Sequence, residues 1–212
     1  MIKVEKIDVW GFEHAIRGMR NPKNSWDRSD SYFENTIDIN SKAYSIGEND
    51  LNLMRQLYKG GSEHRKYLRQ IFVSMDITAP LYWWKEFDTY KVGTTADSCS
   101  TMHKIHAKEF ELDDFSHEHL SEDVIRNPLN TTINCLNFFR ELYLQHKDKD
   151  DWWQMIQLLP SSYNQKRTVT MNYENVATMI RQRTGHKLDE WNDFVSILKD
   201  LPYVQEIIKI VE

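Results

Sequence analysis

The residues best suited to chemistry in this chain sit in a hydroxyl-rich segment, Lys91-Val92-Gly93-Thr94-Thr95-Ala96-Asp97-Ser98-Cys99-Ser100. Cys99 is a nucleophile if a neighbouring cation, Lys91 or His103, draws its thiol toward the thiolate. A lone cysteine carries little information, so the plainer reading, a small side chain in a polar loop, weighs more. His103, His106, Asp113, Asp114, His117 and His119 supply nitrogen and oxygen ligands enough for a metal. His103 and His106 would share one helical face, but Ser116-His117-Glu118-His119 lacks a fixed two-turn pair, and the reading favours solvated turns with no metal. Arg65, Lys66 and Arg69 beside His64 read either as a phosphate patch or, by charge patterning, as an exposed helix face, the latter preferred. In Trp83-Trp84 and Trp152-Trp153 the expectation is one core member per pair and one at a subunit contact, with stacking on a planar ligand as the alternative.

Elements must hold these residues in place. The stretch Ile77-Thr78-Ala79-Pro80-Leu81-Tyr82-Trp83-Trp84-Lys85-Glu86-Phe87 runs as an apolar strand, breaks at the proline and restarts as an aromatic helix. It empties into the hydroxyl-rich segment, which therefore reads as a ligand-facing loop between two rigid elements. Upstream, Lys3 to Trp10 alternates as a half-buried strand, Phe12 to Met19 reads as a short helix and Gly18 to Ser31 as a loop. Asn49-Asp50 offers an N-cap for a helix over Leu51 to Tyr58, ended by Gly60-Gly61. Downstream, helices are expected over Asn130 to His146, over Trp152 to Leu159 before Pro160, from Asn172 to Arg183, and over Asp189 to Val211 with a break at Pro202. Thr168 to Met171 is short and β-prone. Helices outnumber strands, and the fold class expected is α+β, with helices on a small mixed or antiparallel sheet.

Composition bounds the function. A chain of 212 residues with two cysteines, Cys99 and Cys135, suits a single domain over 1–212 that needs no disulfide and a reduced cytoplasmic setting. Charges at Lys3, Glu5 and Lys6 oppose a signal peptide, and no apolar run is long enough to cross a bilayer, so no membrane partner is expected. The net charge of −5 argues against sequence-independent nucleic-acid binding. Seven Trp and ten Tyr supply stacking surfaces for planar rings or subunit contacts.

The ordered set of strand, Ala79-Pro80, aromatic helix, polar loop, long helices, Leu159-Pro160, then Thr170-Met171-Asn172 with Arg183 eleven positions on, resembles the flavin-dependent thymidylate synthases across roughly residues 62–191. The resemblance implies that Asn172 and Arg183 help hold FAD and the nucleotide, with His64 as the histidine that contacts the flavin. It also implies a homotetramer with sites between subunits, and dTMP biosynthesis by methylation of dUMP, with NADPH and methylenetetrahydrofolate as co-substrates. In such a cofactor enzyme the protein mainly positions and tunes its ligands.

The family's signature loop reads Arg-His-Arg, two residues, Ser, one residue, Asn-Glu, one residue, Ser, one residue, Arg. Here Thr89-Tyr90-Lys91 stands at its start, followed by Thr94, Ala96-Asp97, Cys99 and Thr101. Lys91 keeps a cation, Thr94 a hydroxyl and Asp97 a carboxylate, and these become the expected substrate contacts together with Arg183. Cys99, or Ser100 if the loop carries one extra residue, takes the catalytic serine position. Thr89 and Thr101 stand where arginines would make bidentate phosphate contacts, and Ile156 or Gln157 replaces an arginine before Leu-Pro. Two further readings follow from these departures: the same fold binding a nucleotide or flavin for another reaction, or a non-catalytic oligomeric scaffold.

Overall fold

The computed structural model describes residues 1–34 and 44–208. It is α+β, with helices on a small antiparallel sheet, as the periodicity implies. Four strands, β1 (Lys3–Trp10), β4 (Phe72–Pro80), β5 (Thr94–Ser98) and β6 (Asn164–Asn172), lie in the order β1-β4-β6-β5. The hydroxyl of Thr168 donates to Asp76 at 2.7 Å and that of Thr170 meets Ser74 at 3.1 Å, the opposed stepping of an antiparallel β4/β6 pair. A separate two-stranded ribbon pairs β2 (Tyr32–Phe33) antiparallel to β3 (Tyr44–Ser45).

The chain forms two compact units. The first comprises Met1–Glu5, Asp76–Thr89 and Ala96–Val169. In it Pro80 ends β4 and α3 (Leu81–Phe87) starts at once, since proline's fixed φ and missing N–H suit a helix start. Trp83 and Trp84 are both fully buried here, which corrects the expectation of one at a subunit contact. Trp83 stacks on Phe87, and the Trp84 indole N–H reaches the Gln165 carbonyl at 2.9 Å, so the ring enters the core with its polar edge satisfied. A second cluster joins Phe110, Phe115, Ile133, Leu136 and Met155, where α5 (Asn130–His146) packs on α6 (Lys149–Leu158). A short turn of helix, α4 (Glu122–Val124), runs into α5 through five π-helical residues that contain Pro128. Proline cannot donate to the i−4 carbonyl and crowds it, and the widened turn removes that clash.

The second unit comprises Lys6–Met75, Tyr90–Thr95 and Thr170–Glu212. It carries α1 (Phe12–Arg20), α2 (Glu48–Lys59), α7 (Tyr173–Arg183), α8 (Asp189–Lys199) and α9 (Val204–Ile208). α7 packs on α8 and α2 on α9, and Met54, Ile71, Val73, Met171, Val176, Trp191, Phe194 and Val204 of this unit are buried. The expected break at Pro202 separates α8 from α9, and residues 209–211 of the expected last helix fall outside the described residues.

Several expectations change. The expected Lys91–Ser100 loop contains β5. The segment holding His103 and His106 consists of turns, so the two share no helical face. The 18–31 loop is helical to Arg20 and then makes two 3₁₀ turns. α2 begins at Glu48 after Gly47, and Asp50, expected as a cap, is buried inside the helix as the anion facing Arg20. Among the described residues no helix is long and apolar enough to cross a membrane.

Candidate functional site

In the second unit the site is built along α7. At its start the Asn172 side chain accepts the Asn175 N–H at 3.1 Å, the side-chain cap that a helix beginning at Tyr173 requires, and the residue is only 8% exposed. Asn175 turns its own amide outward, donating to the Val92 carbonyl at 2.9 Å and to the Thr94 hydroxyl at 2.7 Å. Between these, Gly93 has φ +76°, and a Cβ there would collide with the Asn172 amide nitrogen. The turn from Lys91 to Thr94 is thereby fastened to the first turn of α7.

At the far end, Arg183 Nε donates to the Tyr90 hydroxyl at 2.9 Å, and that hydroxyl donates to Gln182 Oε1 at 2.9 Å. The Arg183 guanidinium carbon lies 4.6 Å from the Trp191 ring centroid and 5.6 Å from that of Tyr90, a half-buried cation held against two π faces. His186 lies between two donors, the Leu188 N–H 3.1 Å from Nδ1 and Arg183 Nη1 3.2 Å from Nε2, and the ring can accept from only one of them. Residues 90–95 thus run beside α7 with Tyr90 at the arginine end and Thr94 at the asparagine end. Asn172 and Arg183 stand about 16 Å apart along the helix, at 1.5 Å per residue. A ligand that touches both is elongated.

His64 is exposed, on a cavity of about 390 Å³ lined by Met19, Lys23, Leu57 and Gln70 among others and by none of Lys91, Thr94, Asn172 or Arg183. Of its basic neighbours Lys66 and Arg69 are exposed and Arg65 is half-buried, and the two arginines share one carboxylate. Arg65 Nε donates to Glu174 at 3.2 Å, and Arg69 pairs with the same carboxylate. Burial pushes the Glu174 carboxyl up, and the two guanidiniums more than offset it, leaving its pKa below the ordinary value. Lys66 pairs with Glu63 at 3.5 Å.

The remaining candidates lie in the first unit. Asp97 is exposed on β5. Cys99 is exposed just beyond it, its N–H donating to the Lys166 carbonyl at 2.9 Å and its carbonyl accepting from Gln165 Nε2 at 2.7 Å. The Ser100 hydroxyl oxygen accepts the N–H groups of Met102 and His103 at 3.2 and 2.8 Å, closing a turn while keeping its own proton to donate. Among the described residues no three of His, Cys, Asp and Glu converge as metal ligands.

Sequence reasoning missed two polar groups here. Asp76, in the middle of β4, takes the Lys166 ammonium at 2.9 Å as well as the Thr168 hydroxyl. Arg167 lies with its guanidinium carbon 4.2 Å from the Trp84 ring centroid and pairs with Asp88 at 2.7 Å. The alternation of Lys166, Thr168 and Thr170 on one side of β6 was the available signal, masked by the short strand assigned there.

No protein-family model matches the chain, and no curated protein matches it. Solved structures do. The helices on a small antiparallel sheet define a thymidylate synthase X-like fold. A crystal structure of thymidylate synthase X (ThyX) from Helicobacter pylori with FAD and dUMP superposes with a TM-score of 0.67 at 17% identity, over 98% of this chain and 97% of that one. A second structure of the Helicobacter pylori flavin-dependent enzyme, complexed with FAD and dUMP, gives a TM-score of 0.66 at 17% identity, over 96% and 97% of the two chains.

Proposed function

We propose that this chain is a flavin-dependent thymidylate synthase-like protein that binds FAD and a dUMP-like nucleotide. In this reading Arg183 anchors the nucleotide or flavin, Asn172 and His64 are further cofactor contacts, Lys91, Thr94 and Asp97 face the nucleotide, and Cys99 and Ser100 occupy the catalytic position. One observation carries the reading. In a fold shared along nearly the whole chain, a cation held against two rings stands about 16 Å down a helix from its asparagine cap.

The donor set of the second unit fits such ligands. Arg183 and Lys91 offer positive charge to a phosphate or an anionic ring, and the spacing along α7 suits an extended dinucleotide. FAD, when bound, supplies the carrier for a one-carbon unit and a hydride, with NADPH and methylenetetrahydrofolate as co-substrates. The chain's own residues bind and orient. The Trp191 and Tyr90 rings position the Arg183 guanidinium before a ligand arrives. The Ser100 hydroxyl, with both lone pairs occupied, can only donate its proton to a ligand. We further propose that residues 1–212 act as one thymidylate synthase-like domain in a cytoplasmic homotetramer.

A second reading rests on the hydroxyls of Thr89 and Thr101 at positions where arginines would grip a phosphate. The same fold then holds a nucleotide or flavin for another reaction, or serves as a scaffold without chemistry. The deciding experiment is the visible spectrum of the purified protein with added FAD, followed by a dUMP titration. Flavin bands that shift with dUMP support the synthase-like site, and a dUMP-to-dTMP turnover assay then separates the first reading from the second. Arg183→Ala is expected to weaken dUMP roughly tenfold to hundredfold while leaving the assembly folded, the loss of one charge-assisted hydrogen bond. No flavin bound at saturating FAD, or equal dUMP affinity in the variant, sinks the assignment.

A further inference from the structure

Where β1 meets α1, Gly11 adopts φ +96° in a place where a Cβ would collide with the Gln70 carbonyl oxygen. The turn is closed to any other residue, and it brings Trp10 and Phe12 to the wall of one cavity of about 460 Å³ within the second unit. Phe33, Tyr44 and Tyr203 complete an aromatic lining, and Glu13, exposed, is also part of it. These rings are set by packing. Trp10 stacks on Phe72 at 5.9 Å, Phe12 meets Tyr203 edge-on at 5.4 Å, and Phe33 meets Tyr44 edge-on at 4.8 Å. Tyr203 itself has φ +61°, a left-handed conformation that bulky residues rarely take, and its hydroxyl accepts the Ile46 N–H at 3.1 Å and donates to the Tyr44 carbonyl at 3.4 Å. Backbone strain of this kind gathers where a side chain must be aimed.

The rings are aimed but not covered. Trp10 is 44% exposed and Phe33 45%, so π surface faces solvent from a preformed wall. The electrostatics are one-sided. π faces present negative charge, and Glu13 adds a carboxylate. Burial pushes the Tyr44 hydroxyl's pKa up first, and the negative charges of Asp50, which does not line the cavity, and of Glu13 push it further. His14, also on the lining, offers a ring whose Nδ1 lies 3.4 Å from Arg17 Nη2, a contact only an unprotonated nitrogen accepts.

We propose that this cavity is a binding site for a flat, positively charged heteroaromatic ring, stacked against Trp10 and Phe33 with its charge toward Glu13. The volume matches a ligand of two or three fused rings. None of Lys91, Thr94, Asn172 or Arg183 lines it, so the site is additional to the nucleotide and flavin reading.

The test is calorimetric titration of the full chain with N-methylquinolinium, with naphthalene sulfonate as the same-sized anion. Saturable binding of the cation, at least tenfold tighter than the sulfonate, is expected. Glu13→Gln, an exposed change that leaves the walls intact, should weaken the cation at least fivefold, and Trp10→Ala should remove binding. Tyr203→Phe, which keeps the ring and drops its two hydrogen bonds, should weaken binding and serves if Trp10→Ala fails to fold. No saturable binding, equal affinity for the anion, an unaffected Glu13→Gln variant or displacement by dUMP would overturn the assignment.

Discussion

Arg183 and Arg20 show two ways for a guanidinium to leave water. Arg183 does so against the Trp191 and Tyr90 rings, 4.6 and 5.6 Å from their centroids, with a hydroxyl on Nε. Arg20 is consumed by the fold. Its Nε meets Asp50 at 2.5 Å, Nη1 the Ser25 carbonyl at 3.0 Å and Nη2 the Arg28 carbonyl at 3.1 Å, so both 3₁₀ turns wrap a buried ion pair. Removing one partner strands the other charge, and Asp50→Asn is expected to lower stability by about 3–5 kcal/mol in urea unfolding. The pH dependence has a definite sign. Burial pushes the Asp50 carboxyl up, but the Ser29 and Ser31 hydroxyls and Arg20 outweigh it, and the folded pKa lies below the ordinary value. A depressed folded pKa contributes stability above the unfolded carboxyl's titration and loses it as pH falls through the folded value. The gap between wild type and Asp50→Asn should therefore narrow between about pH 4 and more acidic conditions; a constant gap would show that Asp50 does not titrate with unfolding.

At the scale of elements, the segment from Tyr90 to Thr95 and α7 work as a pair. One turns at Val92-Gly93 into β5, the other is helical, and three side-chain contacts, Tyr90 with Arg183, Asn175 with Val92 and Asn175 with Thr94, tie them together. At Gly93 the approach leaves no room for a Cβ beside the Asn172 amide. Gly93→Ala imposes a left-handed alanine and a clash with Asn172, and an expected loss of about 1–3 kcal/mol should appear as a lower melting temperature. If Lys91 and Thr94 bind the nucleotide, dUMP affinity should fall in the same variant. An unchanged melting temperature would mean that the turn moves freely against the helix. The ends of α7 were legible in the sequence because caps are local: Asn172 lies three residues from the N–H it accepts, and Gly185 follows Arg183 closely. β5 was not legible, because Thr94 to Ser98 has no apolar alternation and becomes a strand only where β6 presents an edge to it.

At the scale of the whole molecule, 17% identity with alignment along nearly the full length is what a core under loose constraint allows. Volume and patterning keep a fold while individual side chains drift, and chemistry drifts with them. The first unit also leaves apolar side chains in water on α5 and α6: Phe138 is 56% exposed, and Leu144, Trp153 and Leu158 are each 39% exposed. The proposed homotetramer would cover part of this surface. Phe138→Glu should then shift the mass measured by light scattering toward smaller species without loss of helical signal. An unchanged tetramer would remove this face of α5 from the interface.

The sequence by itself determined what depends on neighbours a few residues away. The Pro80 boundary, the Asn130–His146 helix, the break at Pro202 and the Asn172 cap all follow from backbone rules that act within a turn or two. It also carried the ordered motifs that anticipated the fold. Only the tertiary structure decided which charges meet: Glu174 with Arg65 and Arg69, 109 and 105 residues away, Asp76 with Lys166, and Asp50 with Arg20. It likewise decided that both Trp83 and Trp84 are core, and that five aromatic side chains from β1, α1, the β2/β3 ribbon and the turn before α9 line one cavity. A side chain's partner across such distances is fixed by long-range packing, which periodicity along the chain does not encode.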